Sequence, residues 1–280
     1  KFTRLIMKKK EIEYQIRKKK SFLSIGLDSD INKIPDFLKN NEDPLFEFNK
    51  AIIDSTNKFC VSYKINSAFY ECLGSRGWKS MEKTINYLNK NYPEIFTIAD
   101  AKRGDIGNTS KMYAHAFLKN MNFDSITVNP YMGSDSVKPF LEVDNKFIIL
   151  LALTSNNSSK EIQLKKISES TNENFVFSEI INLSKNWGDD SNTMYVVGGT
   201  KPEFFKRIRK QIPKHFLLIP GLGAQGGDLN KICENAMNDE IGIIVNSSRS
   251  IIYASSGNQF DKAAAEAAEK VQNLMQQILK

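Results

Sequence analysis

The chain has 280 residues, 39 lysines and arginines against 32 aspartates and glutamates, and a formal net charge of +7. Its 41% hydrophobic content excludes a disordered polymer and leaves enough apolar material for a substantial core, while no apolar run reaches the length of a membrane span. The charge is nearly all lysine, and the arginine-with-aromatic pattern of nucleic-acid binding is missing, so the expectation is solvated faces and no polynucleotide partner.

The N-terminus carries charge where a signal peptide needs an apolar stretch, which predicts a soluble, cytoplasmic protein. Cys60, Cys72 and Cys233 are odd in number, far apart and in apolar settings, so they read as reduced buried thiols. His115 and His215 have no neighbours at metal-ligand spacing, and structural roles are expected for both. No metal site is foreseen.

Lysine runs at 8–10 and 18–20 flank Phe2, Leu5, Ile12 and Ile16, a helical stripe that predicts an N-terminal helix over 1–20 with solvated lysines elsewhere. Short apolar runs then recur at 22–28, 59–65, 94–100, 125–129, 147–153, 193–199, 216–221 and 242–248. Stretches of helical period lie between and after them, at 45–57, 78–90, 108–120, 135–143, 173–186, 202–211, 227–238 and 259–279. Eight strands alternating with helices predict an α/β fold, a (β/α)₈ TIM barrel, as one domain over 1–280. An open doubly wound sheet would be expected to carry a glycine-rich dinucleotide turn after its first strand, and "GLDSDINKIP" has none. Segments 36–44 and 155–172 are polar and read as surface insertions with little core content. In the last helix Phe260, Ala264, Ala267, Val271, Leu274 and Ile278 are expected to share the face that meets the barrel.

A barrel of this kind places its site at the C-terminal ends of the strands. Those ends hold Asp28, then Lys64 and Asn66, then Asp100 and Lys102, then Thr154 and Ser155. The segments after strands seven and eight, "PGLGAQGGD" and "NSSRS", have the glycines of a phosphate cradle, with Gln225 and Arg249 as added donors and Pro220, Gly226 and Ser248 beside them. In "DAKRGD" Asp100 and Lys102 face one way on an extended chain and Asp105 swings back from the following turn. Lys102 has carboxylates on both sides in sequence, so it is the candidate to deliver a proton to a developing carbanion on a phosphorylated substrate.

With "GLD", "YKIN", "DAKRGDIGNT", "TS", "PGLGAQGGD" and "SSRSI" in this order, the chain resembles the orotidine 5'-monophosphate decarboxylases, in a longer, monofunctional, protozoan-type form. Related metal-dependent sugar-phosphate decarboxylases share Asp-x-Lys-x-x-Asp but place a metal-binding glutamate where this chain has Lys64. The resemblance implies cofactor-free conversion of orotidine monophosphate to uridine monophosphate, with Lys64, Asp100, Lys102 and Asp105 as a charge network. Further implications are that Asp28 and Lys64 hold the ribose, Asn66 lies near the reacting part of the site, and Ser155, with Thr154 beside it, bonds the polar edge of the pyrimidine. Gln225 and Arg249 would bind the phosphate under a closing lid. Asp105, Ile106 and Thr109 would enter the site of a partner subunit in a homodimer, and a separate orotate phosphoribosyltransferase would supply the substrate. The competing readings are the metal-dependent sugar-phosphate enzyme and a non-catalytic basic binding protein.

Overall fold

The computed structural model describes residues 6–167, 174–222 and 228–280. Its eight strands are β1 (Leu23–Gly26), β2 (Ser62–Asn66), β3 (Phe96–Arg103), β4 (Ser125–Val128), β5 (Phe147–Leu153), β6 (Thr193–Val197), β7 (Leu217–Pro220) and β8 (Ile243–Ser247). Each pairs in parallel with the next, and β1 closes on β8, so the sheet is a complete barrel. Strands buried on both faces need no polar alternation, which is why "FIILLAL" of β5 reads as an unbroken apolar run. The expected helices are present with boundary shifts. The one foreseen at 108–120 divides into an α-helix, Gly107–Ala114, and a π-helical continuation, His115–Asn120.

Among the described residues, three short α-helices after strand ends were not foreseen, Ala68–Glu71, Ser159–Ile162 and Arg249–Ile252, nor was the 3₁₀ turn Asp36–Leu38 in the segment 36–44. Each of the three α-helices is too short to show a helical period. Together they shape the rim of the barrel.

Ile12 and Ile16 of the helix Lys9–Lys19 are fully buried, whereas Phe2 and Leu5 lie outside the described residues. Its lysines are not all solvated. Lys9 Nζ sits 2.5 Å from both Asp190 and Glu240, and Lys19 Nζ donates to the carbonyls of Asn57 and Cys60 at 2.8 and 3.0 Å. These acceptors immediately precede β6, β8 and β2, so the helix ties loops at the N-terminal end of the barrel, away from the strand ends that form the site.

In the last helix, Phe260–Ile278, the buried face is Phe260, Ala264, Ala268 and Met275. Ala267, Val271 and Ile278 are partly buried beside it, but Leu274 is 52% exposed, because the helix meets the barrel along a stripe rotated toward Met275. Cys60 and Cys233 are buried as expected; Cys72 is exposed, since it caps the short rim helix Ala68–Glu71 and faces outward. His215 packs edge-on against Tyr195, while His115 is exposed on the π-helical segment. Among the described residues no helix is long and apolar enough to cross a membrane.

The segment foreseen as an insertion at 155–172 carries more than surface. Ser159 is buried, Leu164 packs against the core, and Gln163 reaches back to the end of β5. Positions 168–172 lie outside the described residues.

Candidate active site

Parallel register sets the catalytic candidates side by side. Gly26 pairs with Lys64, and Asn66 with Asp100, so residues at the ends of β1, β2 and β3 turn into one space at the barrel mouth. Lys64 is 5% exposed, with Nζ 3.2 Å from Asp28 Oδ1 and 2.9 Å from Asp100 Oδ2. Lys102 Nζ donates to the other Asp100 oxygen, Oδ1, at 2.6 Å, and the Thr127 hydroxyl reaches the same oxygen at 3.1 Å. One carboxylate therefore holds two ammonium groups, one buried and one half-exposed.

Burial alone would strip charge from these groups, raising the carboxyl pKa and lowering the ammonium pKa. The partners outweigh it. Lys64 is raised above the usual lysine range by Asp100 and Asp28 against the cost of desolvation, and Asp100 is held well below the usual carboxylate range by Lys64 and Lys102 against the same cost. Lys64 and Asp100 therefore both keep their charges near neutral pH.

Two hollows open on this row, and both are lined by Lys64, Asp100 and Pro220. The first, of about 200 Å³, adds Asp28, Asn66, Asn246, Ser248 and Arg249. The second, of about 380 Å³, adds Lys102, Thr127, Thr154 and Ser155, with Leu151, Val196 and Leu218 as apolar wall. A polar lobe with a guanidinium suits a phosphorylated sugar; a lobe with apolar walls, a hydroxyl edge and an ammonium suits a flat polar ring.

Local sequence explains the floor of the first lobe. Ser248 donates its hydroxyl to the Gly26 carbonyl at 2.9 Å, and a Cβ at position 26 would lie 2.8 Å from Ser248 Cβ. Only glycine lets β1 approach Ser248, the residue next to Arg249. Gly221, at φ +107°, turns the chain out of β7 in a conformation that other residues resist.

At the rim of the second lobe the Thr154 N–H donates to Gln163 Oε1 at 2.8 Å, and its hydroxyl donates to Asn156 Oδ1 at 2.6 Å. Arg103 anchors the strand end beside Lys102: it pairs with Glu71, donates to the Ala101 carbonyl at 2.8 Å, and lies over the rings of Tyr113 and Phe117 at 5.3 and 5.4 Å.

Asp105, Ile106 and Thr109 do not join either hollow. The Asp105 carboxylate accepts from its neighbour's N–H, and Ile106 is 60% exposed. Gln225 and Gly226 lie outside the described residues. Thr127 lines the second hollow without having been foreseen, and Asn246 lines the first from within the quoted "NSSRS" without having been singled out. The available signal was alternation: Ser125 and Thr127 are the polar members of β4, and an inward Thr on a barrel strand reads as ordinary packing until its neighbours are known.

The family model for orotidine 5'-phosphate decarboxylase / HUMPS matches residues 23–267. The chain belongs to this family. It is 55% identical over 273 residues to the orotidine 5'-phosphate decarboxylase of Flavobacterium johnsoniae, with 98% of each chain covered. It is 52% identical to that of Bacteroides fragilis, covering 98% of this chain and 99% of the relative. The OMP decarboxylase structure from Leishmania donovani superposes with a TM-score of 0.79 at 28% identity, over 96% of this chain and 99% of the other. Relatives at 50–55% identity are bacterial, so the protozoan-type form suggested by the extra segments is not supported. The matches run along nearly the full length of this chain and of those relatives.

Proposed function

We propose that this chain catalyses the decarboxylation of orotidine 5'-monophosphate to uridine 5'-monophosphate in pyrimidine synthesis, as one barrel domain acting without a cofactor. The observation that carries the reading is the pair of ammonium groups on one carboxylate, Lys64 and Lys102 on Asp100, between a polar and a partly apolar lobe.

In this reading the phosphate meets Arg249, with Ser248 and with Gln225 and Gly226 of the loop after β7, while Pro220 borders both lobes. The ribose meets Asp28 and Lys64, and Asn66, in the first lobe, stands near the reacting part of the site. The pyrimidine lies in the second lobe with its polar edge toward Thr154 and Ser155. As the C–C bond breaks, carbon dioxide leaves and the electron pair stays on the ring carbon. Lys102 Nζ gives that carbon a proton, a new C–H bond forms, and the amine regains a proton from water. An ammonium already fixed by Asp100 is more favourable to the developing charge than to the neutral ring, which is the condition for lowering a barrier.

The homodimer belongs to the same proposal. Asp105, Ile106 and Thr109, which line neither hollow of their own chain, would enter the site of a partner subunit. Ile106, Met112, Tyr131 and Met132 are exposed apolar side chains on neighbouring helices and their loops, a surface suited to burial. Free Cys60 and Cys233 fit a reducing, cytoplasmic setting. A separate orotate phosphoribosyltransferase would supply the substrate.

A metal-dependent sugar-phosphate reaction is disfavoured because Lys64 occupies the space between the Asp28 and Asp100 carboxylates that a cation would use. The test is carbon dioxide release from orotidine 5'-monophosphate by chain treated exhaustively with chelator. Stoichiometric release is expected; absence of release, or release only after a divalent metal is restored, would overturn the reading.

A further inference from the structure

Strand β3 is irregular where it carries the chemistry. Ala99 pairs with Ile126 and Arg103 with Val128, which leaves Asp100, Ala101 and Lys102 facing Thr127 alone. Such a bulge breaks the ladder and re-aims side chains. Here it also puts Lys102 at φ +47°, a left-handed conformation that a lysine does not adopt without support.

The support is one buried hydroxyl. Thr127 is 1% exposed; its Oγ1 accepts the Lys102 backbone N–H at 2.9 Å and lies 3.1 Å from Asp100 Oδ1. Because one lone pair is taken by the Lys102 amide, the hydroxyl hydrogen is free to donate to the Asp100 carboxylate; the other acceptor in reach, the Ala99 carbonyl, is farther at 3.5 Å. The regular ladder resumes one residue later, where Asn129 N–H donates to the Arg103 carbonyl at 2.8 Å. Thr127 thus supplies the partner that the bulge removes and fixes the rotation of the carboxylate that holds Lys102 Nζ.

We infer that Thr127 is a positioning residue for proton transfer: its hydroxyl clamps the β3 bulge so that the Lys102 backbone and the Asp100 carboxylate aim the Lys102 ammonium at the reacting carbon. The inference rests on the decarboxylase reading. Thr127 acts through Asp100 and Lys102, so its hydroxyl matters for turnover more than for holding nucleotide.

Thr127→Val keeps shape and removes the hydroxyl, leaving the part-buried Lys102 N–H without its acceptor. A fall in kcat of about ten- to a hundredfold is expected, with the dissociation constant for uridine 5'-monophosphate within about threefold of wild type. Thr127→Ser should recover kcat to within about threefold. Thr127→Ala repeats the deletion without bulk if the valine variant folds poorly. Unchanged kcat in the deletion variants, parallel losses of kcat and nucleotide affinity, or failure of serine to rescue would each overturn the positioning role. An inactive wild-type chain would instead remove the decarboxylase reading itself, so the two failures are distinguishable.

Discussion

Asp100 accepts Lys64 Nζ on Oδ2 at 2.9 Å, with both side chains nearly sealed from solvent, and its remaining oxygen is left to orient Lys102. Neutralising this carboxylate would strand a buried ammonium with Asp28 alone and release the half-exposed one. Asp100→Asn is expected to lower stability by about 3 kcal/mol, the lower end for breaking a buried pair because asparagine keeps the volume, and to abolish measurable turnover. Denaturant unfolding beside an activity assay checks both; a fully stable, active variant would contradict the network.

Replacement of Lys102 should separate chemistry from binding. Lys102→Ala removes a preorganised donor together with the proton it supplies, so turnover should fall by at least about 10²–10³-fold. Product binding, followed by titration with uridine 5'-monophosphate, should remain measurable because Arg249, Asp28 and Lys64 are untouched. Unaltered turnover would refute its role as the acid.

The proposed sharing of sites between subunits makes a prediction about mixtures. Asp105→Ala and Lys102→Ala proteins should each be inactive alone, and mixing them should restore some activity, since a hybrid dimer contains one site with both native groups. Persistent inactivity after subunit exchange, verified by differently tagged chains, would oppose a site built from two subunits.

His215 predicts an acid-sensitive fold. Burial pushes its pKa down from 6.5 to about 4, with Asp190 opposing and Lys9 and Arg209 reinforcing the shift, and both ring nitrogens are buried without partners. Above pH 6.5 the ring is neutral in folded and unfolded chain alike. As pH falls from 6.5 toward 4 the unfolded chain takes up the proton first, so stability drops, by about 3 kcal/mol from this residue, and the loss levels off below the folded pKa. His215→Leu should flatten that limb in denaturant unfolding measured across the window, while other acid-sensitive groups keep their contributions. An unchanged difference in stability between pH 6.5 and 4 would remove the assignment.

The amino-acid order by itself determined the barrel, because strands covered on both faces must be apolar throughout and the helices between them must show a 3.6-residue stripe; both patterns are local and survive in a one-dimensional string. It also determined which polar residues sit at strand ends. Only the tertiary structure decided what those residues do to one another. The bulge in β3, the left-handed Lys102, the hydroxyl of Thr127 and the Gln163 bond to Thr154 depend on register and on contacts between residues far apart in sequence, for which no local pattern exists. The same reason explains Leu274: helical period places it on a stripe, but the direction in which that stripe turns is set by the barrel it packs against.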